Sequence, residues 1–331
     1  MHILIVGAAG MVGRKLTDRL LRDKTLGQQA ITALTLADVV APVPPGGEAD
    51  GPAITTVTVD LSEPGAAARL LAPRPDVVFH LAAIVSGEAE ADFDKGYRIN
   101  LDGTRSLFDA IRHEAARQPY RPRVVFTSSI AVFGAPFAEK IGDTFLSAPL
   151  TSYGTQKAIG ELLLNDYSRR GIFDGIGIRL PTICVRPGLP NKAASGFFSG
   201  ILREPLSGQP AVLPVSPDVR HWFASPRAAV GFLLRAATLD TARLGDRRNL
   251  TLPGLSATVE EQIEALRRAA GDRAVALIRH EPDPTIARIV AGWARDFDAE
   301  RAQTLGFTAE TSMDEIIQAH IEDELGGRIG L

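Results

Sequence analysis

Short apolar runs alternate with stretches of helical periodicity through the first half of the chain. The apolar runs predict strands at residues 3–6, 31–37, 54–59, 77–81, 123–128 and 176–180. The periodic stretches predict helices at residues 11–22, about 92–117 and about 152–170. Strands that alternate with helices are typical of a parallel sheet covered on both faces. The pattern therefore predicts an α/β fold with a Rossmann-type, doubly wound parallel sheet.

The second half has a different pattern, because the chain becomes rich in proline and glycine after Arg186. A helix is predicted at residues 228–239, a seventh strand at 249–252, and two amphipathic helices at 258–269 and 312–324. We therefore predict an NAD-binding Rossmann domain over residues 1–185, with returning segments near 219–254. Residues 186–218 and 255–331 would form a smaller substrate-binding cap. Residues 41–48 predict a surface loop.

Composition narrows the classes of function. The formal net charge of −3 gives no reason to expect nucleic acid or an acidic membrane as partner. The single cysteine, Cys184, cannot form an internal disulfide and fits a reducing compartment. No signal peptide, membrane span or metal site is predicted. These features favour a cytoplasmic protein that acts on a small molecule.

A glycine-rich turn follows the first predicted strand. Gly7, Gly10 and Gly13 have the G-x-x-G-x-x-G spacing, and Met11 and Val12 begin the helix that follows. Glycines at this position let backbone amides approach a pyrophosphate, and the N-terminus of the helix favours its negative charge. The position of the motif, directly after a buried strand, predicts a dinucleotide site.

Several further residues end predicted strands, where a doubly wound sheet binds its ligand. Asp38 can accept hydrogen bonds from the adenosine ribose and would repel a 2′-phosphate, which favours NAD over NADP. Asp60 and Leu61 follow the third strand, and Leu81-Ala82-Ala83 follows the fourth. The neighbouring His80, flanked by apolar residues, is predicted to be structural.

Tyr153 and Lys157 are the strongest candidates for chemistry. They are four residues apart on a predicted helix, so they share one face. A nearby ammonium favours the phenolate, which can then take a proton from an alcohol. Ser129 directly follows the fifth predicted strand, close by in sequence, and can bond the reacting oxygen. A Tyr-x-x-x-Lys pair alone is weak, but the three residues together predict oxidation or reduction of a hydroxyl group.

Together these motifs resemble the extended short-chain dehydrogenase/reductase family over residues 1–185 and 219–236. The resemblance implies that Ser129, Tyr153 and Lys157 are catalytic and that Asn100 lines the cofactor and the active site. It also implies a homodimer formed by the helices near 92–117 and 152–170, whose second helix carries more apolar residues than one core-facing stripe needs. The full set expected to bind NAD is Gly7, Gly10, Met11, Val12, Gly13, Asp38, Asp60, Leu61, Leu81, Ala82, Ala83, Asn100, Tyr153, Lys157, Pro181 and Thr182.

Four further segments of the chain indicate the class of substrate. Residues 86–93, 179–188, 191–198 and 220–222 resemble a branch of the family that oxidises the C2 hydroxyl of four-carbon sugar acids. Arg220 resembles the arginine of the family's R-D-Y-x-H-V motif, although Arg-His-Trp stands here, which puts a nucleotide-sugar contact in doubt. We expect Arg220, or else Arg186, to hold the substrate carboxylate. The expected substrate-binding residues are Ser86, Ser129, Tyr153, Thr182, Arg186, Asn191 and Arg220.

Two other functions stay open at this point. A nucleotide-sugar epimerase of the same family would use the same tyrosine and lysine without net oxidation. A non-catalytic NAD-binding sensor would keep the fold without turnover, because a fold does not fix a function. Intact Ser129, Tyr153 and Lys157 speak against the sensor.

Overall fold

The structure is a computed structural model that describes residues 1–44, 51–188 and 194–330. The chain forms two compact units. The first comprises Met1–Val132, Thr151–Arg179 and Val230–Leu250. The second comprises Phe133–Leu150, Leu180–Ala229 and Thr251–Leu331. Among the described residues, no helix is long and apolar enough to cross a membrane.

Strands and helices alternate along the first unit, as the hydrophobic pattern predicts, and shorter strands follow in the second unit. In chain order the strands are β1 (His2–Val6), β2 (Thr25–Leu26), β3 (Gln29–Ala30), β4 (Ala33–Asp38), β5 (Ala53–Thr58), β6 (Val77–His80), β7 (Arg123–Ser129), β8 (Asp174–Leu180), β9 (Thr182–Ile183), β10 (Ala211–Leu213), β11 (Arg220–Ala224), β12 (Asn249–Thr251), β13 (Leu255–Thr258) and β14 (Ile278–His280).

Helices connect most of these strands. They are α1 (Met11–Asp23), α2 (Ala66–Leu71), α3 (Ser86–Ala91), α4 (Phe93–Gly96), α5 (Gly103–Arg117), α6 (Ser152–Arg169), α7 (Gly196–Leu206), α8 (Pro226–Thr238), α9 (Val259–Val275), α10 (Pro284–Ala291), α11 (Glu300–Thr304) and α12 (Met313–Glu324). A π-helical turn, Tyr97–Asp102, joins α4 to α5. Short 3₁₀ turns lie at Ile130–Val132 and Thr241–Leu244.

Seven strands form the central sheet in the order β12-β8-β7-β6-β1-β4-β5. Strand β1 pairs in parallel with both β4 and β6, so the strand order reverses between β1 and β6. In a doubly wound sheet, ligands bind at the carboxyl ends of the strands beside such a reversal. The predicted fold class is therefore confirmed, and Gly7, Leu81 and Ser129 all lie at this end of the sheet.

The core of the first unit explains why its strands read as continuous apolar runs. Ile3, Leu4 and Ile5 are fully buried, and so are Val78 and Phe79. Strands covered by helices on both faces have no solvent face and hence no alternation of polar residues. Leu4 and Val78 belong to a cluster with residues of α2, α5 and α6.

The second unit has its own core around a small sheet of order β13-β11-β9. Helices α7, α9 and α12 supply most of its buried side chains, among them Phe198, Leu266 and Ile317. Residues 219–229 belong to this unit, whereas the predicted returning segment placed them with the Rossmann domain. The reason is that β11 pairs with β9 and β13 instead of joining the large sheet. The role of the second unit as a substrate-binding cap stays a prediction.

Some predicted residues lie outside the described ranges, and some elements of the structure were not predicted from the sequence. Asn191 and residues 45–48 of the predicted surface loop lie outside the described ranges. The sequence pattern did not predict helix α2 or the hairpin of β2 and β3. Strand β7 extends one residue further than predicted and includes Ser129.

Candidate active site

The turn between β1 and α1 has no room for a side chain at Gly7 or Gly13. Gly7 has φ +95°, a left-handed conformation that other residues rarely adopt. A Cβ built on Gly7 would lie 2.6 Å from the backbone nitrogen of Ala82. A Cβ on Gly13 would lie 2.2 Å from the carbonyl oxygen of Gly7. Side chains at these positions would therefore push the turn away from β6 and α1.

Helix α1 begins directly after this turn. Its N-cap is Gly10, which has no side chain to cap the first amides. The first backbone bond across the start of the helix runs from the Arg14 N–H to the Gly10 carbonyl, at 2.9 Å. The amides of Met11, Val12 and Gly13 precede it, and with the helix dipole they attract an anion. The turn and the helix therefore fit the pyrophosphate of a dinucleotide.

Asp38 lies beside this turn at the end of β4. Its Oδ2 accepts a hydrogen bond from the Ala9 amide at 2.9 Å, and its Oδ1 accepts one from the Val40 amide at 3.4 Å. The carboxylate is partly exposed and adjoins the expected pyrophosphate cradle. This position fits a ribose hydroxyl acceptor and would bring a 2′-phosphate close to a negative charge.

Removing the charge of Asp38 should relax cofactor choice. The Asp38→Asn variant retains an acceptor for the Ala9 amide, so the glycine turn should stay in place while the repulsion of a 2′-phosphate disappears. We expect the ratio of kcat/KM for NAD over NADP to fall about tenfold or more, because like-charge contacts cost on the order of a few kcal/mol. Asp38→Ala, which also frees the amide, should in addition weaken NAD itself. An unchanged ratio in both variants would remove Asp38 from the ribose site.

Asp60 and Leu61 follow β5 at the same edge of the sheet. The Asp60 carboxylate accepts bonds from the Ser62 amide at 2.8 Å, from the Ser62 hydroxyl at 2.6 Å and from Arg98 Nη1 at 3.0 Å. Partial burial opposes ionisation of Asp60, but the bonds from Ser62 and Arg98 outweigh it and lower the pKa of the carboxyl. Asp60 therefore stays ionised and fixes the chain after β5. Leu61 is buried beside it.

Tyr153 and Lys157 lie on α6, which begins where the sequence predicted. The Thr151 hydroxyl caps the helix by accepting the Gly154 amide at 3.1 Å. Lys157 is buried, and its Nζ donates to the Thr127 carbonyl at 2.8 Å. The same Nζ lies 5.7 Å from the centre of the Tyr153 ring. The structure therefore brings the predicted pair together at the end of β7.

Ser129 ends β7 two residues after Thr127. Its Oγ accepts the backbone N–H of Ala131 at 3.1 Å, so its own O–H remains to be donated elsewhere. Ser129 is half-buried, as is Tyr153. A phenol and a hydroxyl donor thus lie on adjoining elements of one unit, an arrangement that fits the oxidation of an alcohol.

The buried surroundings of the site lower the pKa values of Lys157 and His80. Burial lowers the pKa of Lys157 to about 8, against the attraction of the Glu161 carboxylate, which raises it. Burial and the charge of Lys157 lower the pKa of His80 to about 3. His80 bonds Thr104 Oγ1 at 2.8 Å, and that hydroxyl donates to the Asn100 carbonyl at 2.7 Å. As predicted, His80 is a buried structural group, and it is neutral.

Asn100 lies on the π-helical turn and is buried. Its Oδ1 accepts the Ile84 amide at 2.9 Å, and its Nδ2 donates to Gln156 Oε1 at 2.7 Å. Asn100 thus fixes the segment that follows Leu81-Ala82-Ala83, where the cofactor is expected. Short π-helical turns are frequent at functional sites.

Sequence reasoning missed two buried polar residues of α6. Gln156 is fully buried and Glu161 nearly so. The signal was present, because Tyr153, Gln156, Lys157, Gly160 and Glu161 follow the spacing i, i+3, i+4, i+7, i+8 of a core-facing helix stripe. Polar residues on such a stripe indicate a polar core or a site.

The remaining expected contacts lie on other elements. Ser86 begins α3 in the first unit and is half-buried. Pro181 is buried and Thr182 is half-buried, and both belong to the second unit. The Thr182 hydroxyl bonds His221 Nε2 at 2.7 Å. Burial, together with the nearby charge of Arg186, lowers the pKa of His221 to about 3, against a backbone bond at Ala294 that raises it.

The two candidate arginines of the second unit are held differently. Arg186 donates from Nε to the Ile183 carbonyl at 2.9 Å and from Nη2 to Ser195 Oγ at 2.6 Å. Arg220 donates from Nη1 to the Ser256 carbonyl at 3.0 Å, and the same Nη1 lies 3.4 Å from Glu261 Oε2. The Arg220 side chain is 38% exposed, so solvent screens this ion pair.

Fold and site together define a Rossmann-type enzyme of the extended short-chain dehydrogenase/reductase class. The NAD dependent epimerase/dehydratase family matches residues 3–225, and the chain belongs to this family. A D-erythronate dehydrogenase from Cupriavidus necator is 49% identical over 327 residues, which cover 98% of each chain. A D-erythronate dehydrogenase from Haemophilus influenzae is 40% identical over 325 residues, 98% of this chain and all of that one (100%).

Solved structures agree on the fold. A crystal structure described as the nucleoside-diphosphate-sugar epimerase from Agrobacterium tumefaciens has a TM-score of 0.96 and 67% identity, covering 99% of this chain and 95% of that chain. An L-threonine dehydrogenase from Cupriavidus necator has a TM-score of 0.81 at 22% identity, covering 98% and 99%. The latter likeness concerns the fold alone.

Proposed function

We propose that this protein oxidises the C2 hydroxyl of a short sugar acid with NAD, and that its substrate is D-erythronate, giving 2-oxo-erythronate. The observation that carries the proposal is the buried Lys157 ammonium beside Tyr153, at the end of the strand that bears Ser129. Two relatives that match nearly the whole chain and bear the name D-erythronate dehydrogenase support the substrate.

The chemistry of the chain's own residues follows from their states. Tyr153, as phenolate, accepts the proton of the C2 hydroxyl, and the Lys157 ammonium stabilises that phenolate. The Ser129 hydroxyl, which already accepts the Ala131 amide, donates to the same oxygen as it becomes a carbonyl. Lys157 is fixed for this role by its bond to the Thr127 carbonyl.

The glycine turn, α1 and Asp38 would hold the cofactor's pyrophosphate and adenosine ribose. Asn100 would fix the segment after β6 against which the cofactor lies. NAD, when bound, supplies the acceptor for the hydride that leaves C2. The chain's contribution is to orient the substrate and to keep the proton acceptor ionised.

One observation favours a second candidate. The 67%-identical structure is described as a nucleoside-diphosphate-sugar epimerase, and such an enzyme would regenerate NAD in each turnover. Incubation with NAD and a panel of C4 to C6 aldonates, followed by NADH absorbance, separates the two functions. The proposal expects net NADH with erythronate. An epimerase would give none, and would instead interconvert a nucleotide sugar.

A carboxylate-binding arginine should distinguish sugar acids from neutral polyols. We propose Arg220 for this role, since its Nε and Nη2 edge could bind a carboxylate while Nη1 stays on Ser256. Arg220→Lys should damage both kcat and KM, by about 2–3 kcal/mol in kcat/KM, because the fork geometry is lost. Steady-state kinetics with erythronate, and with erythritol as the uncharged control, test this expectation.

The uncharged substrate erythritol and the Arg186→Lys variant are the controls for this prediction. Erythritol should be a poor substrate for the wild type and should respond little to Arg220→Lys. Normal oxidation of erythronate by Arg220→Lys would transfer the role to Arg186, which Arg186→Lys then tests. A polyol that matches erythronate would overturn the sugar-acid substrate itself.

We further propose a homodimer formed by α5 and α6. Leu162 of α6 is 68% exposed, and packing against the same helix of a second copy would remove this apolar side chain from water. The mass measured by light scattering at micromolar concentration should be that of two chains, and Leu162→Asp should lower it to one. Val43→Asp, at a residue 82% exposed elsewhere, is the matched control and should leave the mass unchanged. A monomeric wild type would contradict the proposal.

We propose a cytoplasmic location because the single cysteine of the sequence forms no disulfide. Cys184 is buried and unpaired, so the described fold needs no oxidising compartment. Fractionation of the native host would test it, and recovery from a secreted fraction would overturn it.

A further inference from the structure

A buried ion pair of Arg179 and Glu161 lies one helical turn from Lys157. Arg179 of β8 donates from Nε to Glu161 Oε1 at 2.9 Å and from Nη2 to Oε2 at 2.7 Å. The Ser128 hydroxyl donates to Glu161 Oε1 at 2.6 Å. The side chains of Arg179 and Glu161 are only 8% and 5% exposed. The carboxylate is therefore removed from solvent, paired with a guanidinium and held in one orientation by three bonds.

This carboxylate is one helical turn beyond Lys157 on the same face of α6. Its partner Ser128 is next to Thr127, whose carbonyl accepts the Lys157 Nζ. Strand β7 and helix α6 are thus joined by two side-chain bonds at consecutive residues of the strand. Both bonds lie immediately before Ser129.

Stability alone gives little reason for such a pair. Taking two charges out of water costs several kcal/mol each, and apolar replacements of similar volume are often neutral or stabilising. A buried acid one helical turn from a buried ammonium does, however, offset part of the cost of keeping that ammonium charged. The position of the pair one helical turn from Lys157, with Ser128 next to the residue that accepts the Lys157 Nζ, favours a role in the reaction.

We propose that Glu161, clamped by Arg179 and Ser128, is a positioning residue that keeps Lys157 protonated beside Tyr153. The consequence for the reaction rests on the proposed function, whereas the effect on Lys157 does not. Without the Glu161 charge, burial would deprotonate Lys157 at a lower pH. The phenolate of Tyr153 would then lose its neighbouring cation, and its pKa would rise.

Among the described residues, Glu161 is the carboxylate whose charge raises the pKa of Lys157, and the titratable groups of the neighbouring elements have other partners or are neutral. His80 on β6 is neutral because burial lowers its pKa to about 3. On α3 and α4, Glu88 pairs with Lys95, and Glu90 accepts the Ser152 amide at the start of α6. On α5, Asp109 bonds Tyr167 near the far end of α6.

The test measures Lys157 directly. The chain has six lysines, so selective ¹³C labelling at lysine Cε gives few NMR signals, and Lys157→Met assigns the one in question. In Glu161→Gln the titration midpoint of Lys157 should fall by about one pH unit or more, since a favourable charge is lost and the Arg179 cation is left unpaired. Ser128→Ala keeps the charge and should move the midpoint by less than about 0.3 unit.

A second variant covers the case in which Glu161→Gln does not fold. Glu161→Gln combined with Arg179→Met leaves no orphan charge, and its Lys157 midpoint should fall in the same direction by a smaller amount. In the variant that folds, the rising limb of kcat/KM against pH should move to higher pH. An unchanged Lys157 midpoint in that variant overturns the inference. A shifted midpoint without turnover of any sugar acid would instead overturn the proposed function alone.

Discussion

Replacement of Tyr153 by Phe is expected to lower kcat by about 10²–10⁴-fold, the usual contribution of a positioned proton acceptor. Only the phenolic oxygen is removed, so the ring stays beside Lys157. NAD affinity, measured by fluorescence titration, should therefore change little. Steady-state kinetics with erythronate give kcat.

Tyr167→Phe is the matched control. Tyr167 is on the same helix, but its hydroxyl bonds Asp109 on α5 and not the site. The control should lose about 1 kcal/mol of stability and retain its kcat. Retention of more than about a tenth of the wild-type kcat in Tyr153→Phe, against the usual loss, would remove Tyr153 from the reaction.

Gly13→Ala is expected to abolish productive NAD binding. Its Cβ would lie 2.2 Å from the Gly7 carbonyl oxygen and 2.8 Å from the Ala8 Cα, and both are backbone atoms that no rotamer change can move. The turn must therefore shift away from α1, which should weaken NAD by about 100-fold or more and destabilise the fold by roughly 1–3 kcal/mol. Calorimetric titration with NAD and thermal unfolding measure the two effects.

Gly231→Ala provides the control for a glycine-to-alanine change in a helix. A Cβ on Gly231 of α8 would meet nothing within 4 Å, so this variant should be stabilised by about 0.5–1 kcal/mol and bind NAD normally. Equal NAD affinity in Gly13→Ala and Gly231→Ala would contradict the pyrophosphate cradle.

Local patterns predicted the parts of this fold that depend on local physics. Strand β1 and the strands around it read as apolar runs because helices cover both faces of the sheet. The glycine turn was identifiable from its spacing, because the turn requires glycine at position 7, against Ala82, and at position 13, against Gly7. The four-residue spacing of Tyr153 and Lys157 placed them on one helix face.

Long-range partners could not be predicted from local patterns. The spacing of Gln156 and Glu161 places them on the core-facing stripe of α6, but their partners Asn100 and Arg179 lie on other elements, and only the fold brings them together. Helix α2 has only six residues, too few to show a period. The ion pair of Arg220 with Glu261 likewise depends on the pairing of β11 with β13.

The most direct test of the central claim uses D-erythronate that carries deuterium at C2. The wild type, incubated with NAD, should form NADH and 2-oxo-erythronate in equal amounts, with the deuterium recovered in the reduced cofactor by mass spectrometry. Tyr153→Phe should form neither at a comparable rate. Recovery of unlabelled NADH, or of no NADH at all, would contradict oxidation at C2 by this protein.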